Sequence, residues 1–447
     1  MRISKGQKVA VLGLGDTGLS LVRWLYAQGA EVAVADTRAH PPAASQLQRE
    51  FPQLHFIGGP FDAQWLCAFD LIAVSPGVSL NEPALVAAKL AKRPIVGDVA
   101  LFSSARDPRS KLIAITGSNG KSTVTSLVGA ICQAAGLVTV VAGNIGEPVL
   151  NTLSQAVPDV IVLELSSFQL ETTPCLGADV AVMLNLSADH LDRHLSMANY
   201  LAAKAHVFAA AKHQVINRDD SASMSLRDMS LPCTSFGLDK PKVGEYGLLG
   251  EALAYGERRL LSRHELQLVG RHNLANVLAA LALVSAIGIN ETVALRAVRE
   301  FSGLPHRLQW VASIEGVDYY DDSKGTNVGA SIAALQGLPQ KVVLIAGGDG
   351  KGQNFAPFCA AVAQKASVVV LIGRDAALLE EALLPSGVPL YRATDLEEAV
   401  EIAAYFARSG EAVLLSPACA SFDMFDNYQQ RARIFVRAVQ KRQRVTL

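Results

Sequence analysis

"AITGSNGKSTVTSLVGAICQAAG", residues 114–136, passes from an apolar run through two close glycines to an amphipathic run. With the residues just before it, "KLIAITG" reads as a strand, "GSNG" as a tight turn and "KSTVTSLVGAICQAAG" as a helix with Val124, Leu127, Val128 and Ile131 on one face. Strand, glycine turn and helix start make an anion cradle, because backbone N–H groups converge where the helix dipole is positive. Lys121 can reach terminal phosphates, Ser122 can ligate Mg²⁺, and Gly117, Asn119, Gly120 and Thr123 complete the loop. Strict Walker A spacing needs glycine where the chain has Ile115, so the strict pattern fails at its first glycine.

Outward from this stretch, short apolar runs alternate with helical patterns: "KVAVLGLG", "EVAVADT" and "LIAVSPG", then "KLIAITG", "VIVLELS" and "VAVMLNL", then "KVVLIAGG", "SVVVLIG" and "EAVLLSP". Such alternation marks an α/β chain with mostly parallel sheets covered on both faces. The strand runs fall into three groups, parted near 97–111 and 301–309, where turn formers and charges collect. Three domains are expected, at 1–99, 100–303 and 304–447, with a P-loop-type unit in the centre and Rossmann-like units on either side. Residues 217–270 read as hairpins or loops inserted in the middle unit.

The 447 residues are 50% hydrophobic and 18% charged, with 40 Lys and Arg against 41 Asp and Glu, so no basic excess exists to neutralise a nucleic-acid backbone. Six scattered cysteines without a CxxC pair suit a reducing compartment, and the cytoplasm is expected. Gly13 and Gly15 cut the first apolar run too short for a spanning helix, so no membrane insertion is expected. The basic C-terminal stretch "QQRARIFVRAVQKRQRVTL" puts Ile434, Phe435, Ala438 and Val439 at helical spacing, which favours packing on its own domain over lying on a membrane.

Near the N-terminus Gly13-x-Gly15-x-x-Gly18 follows a strand and opens a helix, and Asp36 ends the next strand, followed by Thr37 and Arg38. Glycines there let a backbone approach a diphosphate, and the acid can hold a ribose. The pattern alone admits a nucleotide or sugar nucleotide, a nicotinamide cofactor and hence an oxidoreductase, or a purely structural turn. The 117–123 loop by itself also admits a nucleotide switch without turnover.

"TGSNGKST" resembles the phosphate loop of the Mur ligases, ATP-dependent enzymes that form amide bonds in peptidoglycan synthesis and have three α/β domains. The likeness continues through "LELSSFQLE", "NLSADHLDRH", "GRHNLANVLAA", "PHRLQ", "DDSKGTN", "GGDGKG" and "SPACASFDMFDNY", nearly end to end. Folate polyglutamation enzymes are the nearest rival but lack the first glycine domain. The resemblance implies UDP-N-acetylmuramoyl-L-alanine, D-glutamate and ATP as partners, two Mg²⁺ ions and a monomer.

Glu164 ends the strand "VIVLEL" at the ligand edge of a parallel sheet, where its carboxylate suits Mg²⁺. His190 and His194 stand one helical turn apart, but no HExxH or cysteine accompanies them, which argues against zinc. The resemblance makes His190 a contributor to metal and substrate contact and leaves His194 as a helix-surface residue. Lys204 matches a lysine carried in the family as a carbamate, giving Lys121, Glu164, His190 and Lys204 as the catalytic set and Ser122, Glu164, His190 and Lys204 as the metal set.

Asn276, Arg307, Asp322 and Lys324 are implied on the nucleotide. Asn276 is an amide in an apolar helical stretch and needs a partner. Gly15, Asp16, Thr17, Asp36, Thr37, Arg38, Ser75, Gly77, Asn144 and His190 are implied on the UDP-sugar, although an acid such as Asp16 beside a diphosphate is unfavourable unless it points away. Thr326, Lys351, Ser421, the backbone amide of Phe422 and the ring of Tyr428 are implied around D-glutamate.

Overall fold

The computed structural model describes residues 2–446 and contains three α/β sheets in succession along the chain. The first has five parallel strands in the spatial order Phe56–Gly58, Glu31–Asp36, Lys8–Leu12, Leu71–Val74, Ile95–Gly97. The chain winds one way from Lys8–Leu12 and then returns to its other side. That reversal opens a crevice beyond the strand ends, between residues 13–16 and 75–79.

The central sheet has nine strands. Its middle strand, Lys111–Thr116, lies between Val160–Glu164 and Val180–Met183, all parallel. The loops after these three strands therefore open on one edge. Leu112 and Ala114 belong to one hydrophobic core and Ile113 and Ile115 to another, so the strand is buried on both faces, as its unbroken apolar run requires. The helix Lys121–Ala134 buries Val124, Leu127, Val128 and Ile131, the face expected from their spacing, and packs on the helix Arg271–Ala286.

Residues 217–270 include the expected hairpins, and these extend the edge of the same sheet. Cys233–Phe236 and Tyr246–Leu249 add in parallel, then Ala252–Tyr255 and Arg258–Ser262 close the edge as antiparallel strands. The third sheet pairs Gln309–Ile314 antiparallel with Val317–Asp321 and is otherwise parallel. The terminal helix Tyr428–Thr446 buries Phe435, Ala438 and Val439 against it, so the apolar stripe is a domain contact.

One hydrophobic core joins Val9, Val11 and Ala73 of the first sheet to Leu163, Ala181 and Met183 of the second. Among the described residues no helix is long and apolar enough to cross a membrane.

Candidate active site

The turn 117–120 requires glycine at both ends: Gly117 has φ +155° and Gly120 φ +85°. A side chain at Gly120 would also start 2.4 Å from Asn276 Oδ1. Lys121 opens the following helix, and its Nζ donates to Gly117 O and Ser118 O, each at 2.9 Å. The turn is braced from the next strand end: Asn185 Oδ1 accepts from Asn119 N at 2.9 Å, and Ser118 Oγ accepts from Ser187 N at 2.9 Å.

Around this loop the central sheet delivers Glu164, Asp189, His190 and Lys204. Glu164 is buried; its Oε1 accepts from Asn144 Nδ2 at 2.7 Å, while its Oε2 has no hydrogen-bond partner. Lys204 is also buried, donating to Gly117 O at 2.8 Å, with its ammonium 4.7 Å from the centre of the Tyr200 ring. Burial pushes the Lys204 amine well below its ordinary pKa, and Lys121 adds to the effect, so the neutral amine is favoured. A neutral amine is the form that adds CO₂.

Burial likewise lowers the His190 pKa, against the pull of Asp189, which favours the neutral imidazole that metals bind. The residue begins a short helical turn at φ +53°. Among the described residues no three His, Cys, Asp or Glu side chains form a metal cluster. Yet an orphaned buried carboxylate oxygen on Glu164 and the Ser122 hydroxyl are the hard oxygen donors that suit Mg²⁺, while the His190 imidazole is a borderline nitrogen donor.

The third sheet meets the same loop. Arg307 Nη2 donates to Ser122 Oγ at 2.7 Å, Asn327 Nδ2 to Asn119 Oδ1 at 3.1 Å, and Lys351 Nζ to Asp189 Oδ1 at 2.9 Å. Asn119, Gly120, Thr123, Asn276, Arg307, Asp322 and Lys324 line one cavity at this junction. Burial pushes the Asp322 carboxyl up to about 7, opposed by Ser416 Oγ, which donates to it at 2.7 Å. Burial lowers Lys324 to about 8, and its ammonium stands 4.2 Å from the centre of the Tyr428 ring. The "SPACAS" turn is tied to "DDSKGTN" where Ala418 N donates to Gly325 O at 2.9 Å. Ser421 is buried, whereas the Phe422 side chain is 75% exposed.

The crevice of the first sheet is lined by Gly15, Asp16, Thr17, Asp36, Thr37, Arg38, Ser75 and Gly77, and Asn144 of the central sheet joins them. Close packing explains Gly13 and Gly18 at its base, since a Cβ at Gly18 would stand 1.8 Å from Gly13 O and one at Gly13 2.9 Å from the Val78 side chain, whereas a Cβ at Gly15 or Gly77 would meet no atom within 4 Å. The Asp36 carboxylate is spent inside the protein, accepting from Leu14 N at 2.7 Å and from Arg38 Nη2 at 2.7 Å. Burial works against its ionisation, but those bonds hold Asp36 at about 2. Asp36 thus fixes the loop, and Arg38 beside it is the half-exposed cation of the pocket. Asp16 is exposed at the start of its helix.

His194 departs from its expected place on a helix surface. It is buried, its Nε2 pairs with Ser167 Oγ at 2.9 Å, and its ring stacks on Phe168 at 5.4 Å between centroids. Ser167 and Phe168 come from a distant segment of the chain, and that covering is a tertiary contact with no local sequence mark.

A model of the Mur ligase middle domain matches residues 115–284, one of the MurD-like N-terminal domain residues 7–97, and one of the Mur ligase glutamate ligase domain residues 306–419. The chain belongs to the Mur ligase family. This Mur ligase is 57% identical to the UDP-N-acetylmuramoylalanine–D-glutamate ligase of Methylobacillus flagellatus, over 97% of each chain. It is 48% identical to the enzyme of that name from Pseudomonas aeruginosa, over 96% of this chain and 97% of that one. Its fold matches the solved MurC ligase of Thermotoga maritima with a TM-score of 0.61 at 20% identity, covering 97% of this chain and 99% of the other. The pseudomurein peptide ligase type C of Methanothermus fervidus gives 0.62 at 18% identity, covering 98% and 100%. The Mur ligase is an ATP-dependent enzyme of the acid–amino-acid ligase type.

Proposed function

We infer that this Mur ligase joins the amine of D-glutamate to the lactyl-alanine carboxylate of UDP-N-acetylmuramoyl-L-alanine, with ATP cleaved to ADP and phosphate. The observation that carries the reading is that Lys121 and Lys204 bond one glycine turn and Arg307 of the third sheet bonds Ser122 just after it, while Lys351 pairs with Asp189 of the central unit and the first sheet's pocket takes in Asn144. The naming of relatives 57% and 48% identical over nearly the whole chain supports it.

The carrier carboxylate oxygen attacks the terminal phosphorus and ADP leaves; the neutral amine then attacks the acyl carbon, phosphate leaves, and the nitrogen gives up a proton. Phosphoryl transfer of this kind depends on alignment and charge clamping more than on covalent help. Lys121 and Arg307 supply the cations, and the turn amides orient the phosphates. Ser122, Glu164, His190 and carbamylated Lys204 would hold two Mg²⁺, which neutralise developing phosphoryl charge when bound. Residues 1–99 take the carrier, 100–303 the ATP and 304–447 the D-glutamate, in a cytoplasmic monomer.

Asn276, Asp322 and Lys324 hold the nucleoside end. Thr326, Lys351, Ser421, the amide of Phe422 and Tyr428 surround the amino acid. The test is phosphate release from ATP in the presence of the carrier, with D-glutamate and with L-glutamate. Release that depends on the carrier and on the D-isomer supports the assignment; equal release with both isomers, or none, overturns it.

A further inference from the structure

Between the carrier pocket and the phosphate loop stands a side chain that neither site explains. Arg193 belongs to the short central-sheet helix that starts just after His190, yet its guanidinium reaches the first sheet: Nη2 donates to Val78 O at 2.8 Å and Nη1 to Pro76 O at 3.1 Å. Its other partner is the Glu171 carboxylate of the central unit, and both side chains are largely buried, at 12% and 17% exposure. The guanidinium carbon stands 4.4 Å over the Phe168 ring, and the same ring meets His190 edge-on at 4.9 Å.

Residues 75–79 form one lip of the carrier pocket. That lip is seated on the glycine loop, since Ser75 Oγ donates to Gly13 O at 2.8 Å. A planar guanidinium with fixed donors suits such a bridge, because it can bind two carbonyls and a carboxylate at once, which an ammonium does with far less directional control.

We propose that Arg193 is a positioning residue: it clamps the 76–78 lip of the carrier pocket to the Phe168–His190 group of the phosphoryl-transfer site, setting how far the carrier's carboxylate stands from the terminal phosphate. The role rests on the carrier and ATP assignments above. Arg193 touches neither substrate; it acts through the two backbone carbonyls and the shared ring. Holding the pockets in register matters because the two reactants bind on different sheets, and a displacement of about 1 Å between them can cost on the order of 100-fold in rate.

The test compares Arg193→Ala, Arg193→Lys and Glu171→Gln. In Arg193→Ala, kcat/KM for the carrier is expected to fall about 100-fold, while calorimetric Kd values for ATP and for UDP stay within about threefold of wild type. Amide hydrogen exchange should quicken across 75–82 and stay unchanged across 13–19. Arg193→Lys recovers part of the rate, and Glu171→Gln, which keeps the arginine but removes its anchor, shows a smaller loss with the same exchange pattern.

General destabilisation would instead weaken ATP binding and quicken exchange in both segments, which overturns the proposal. So does unchanged exchange across 75–82, or carrier turnover within about threefold of wild type. If Arg193→Ala does not fold, the other two variants decide by the same criteria. If wild type turns over no carrier, the substrate assignment fails, and the exchange pattern still decides whether Arg193 clamps the lip.

Discussion

Lys351 Nζ lies 2.9 Å from Asp189 Oδ1, so one ion pair joins the third sheet to the residue that precedes His190. Lys351 also sits at φ +51°, a backbone setting unusual for a side chain of its size and held by the turn "GGDGKG". In the proposed reading this ammonium receives a carboxylate of the amino acid, and a charge-assisted bond is worth about 1.5–3 kcal/mol. Lys351→Ala should therefore raise the KM for D-glutamate about 10- to 100-fold and leave the KM for ATP nearly unchanged, measured by initial rates with each substrate varied.

Arg307 gives a complementary case on the nucleotide side. It spans from the start of the third unit to Ser122 Oγ at 2.7 Å and lies within electrostatic reach of Glu164 and Asp322. Lysine keeps the charge but loses the planar fork. Arg307→Lys should lower kcat/KM for ATP by about 10- to 100-fold, in proportion to a charged hydrogen bond of roughly 1.5–3 kcal/mol, with the melting temperature nearly constant.

Asp98 makes a prediction about stability. It is buried at the join of the first and second units, neither carboxylate oxygen has a hydrogen-bond partner, and burial pushes its carboxyl up to about 6. Because the folded pKa lies above the unfolded one, the folded state binds the extra proton between about pH 4 and 6. Stability from this group is therefore full below the ordinary carboxylate pKa and is lost as pH rises through 6. Asp98→Asn should flatten that decline, and denaturant titrations at pH 5 and pH 8 should differ less for the variant than for wild type by on the order of 1 kcal/mol.

Lys204 tests the carbamate. Its burial and lowered pKa favour addition of CO₂, and the product oxygen would exchange a cation for a metal ligand. Native mass spectrometry should show a CO₂ adduct that Lys204→Ala lacks, and that variant should lose at least about 100-fold in kcat, the scale expected when aligned metal charge is lost. No adduct together with full activity in the variant would discard the modification.

The phosphate loop was legible because its chemistry is local: glycine conformations, the strand before it and the amphipathic helix after it all lie within 111–134. Glu164 was legible for a similar reason, since a polar residue ending an apolar strand falls on the ligand edge. Asp189, Asn185 and Asn327 were quoted within motifs yet carried no distinguishable role, because their partners come from other segments: Asn327 reaches Asn119 and Asp189 across the gap between sheets. The burial of His194 under the Phe168 ring was illegible for the same reason. Its i,i+4 spacing from His190 describes a helix face but not what covers it. Asp36 shows the converse limit: it lines the crevice, but its place at a strand end did not reveal that Leu14 and Arg38 already occupy its oxygens.

The most direct measurement follows the oxygen that moves. Carrier labelled with heavy oxygen in its alanyl carboxylate is turned over with ATP and D-glutamate, and the released phosphate is analysed by mass. Activation by phosphoryl transfer predicts one labelled oxygen in every phosphate formed; phosphate free of label, with one labelled oxygen kept in the amide and the other released to water, would contradict the account.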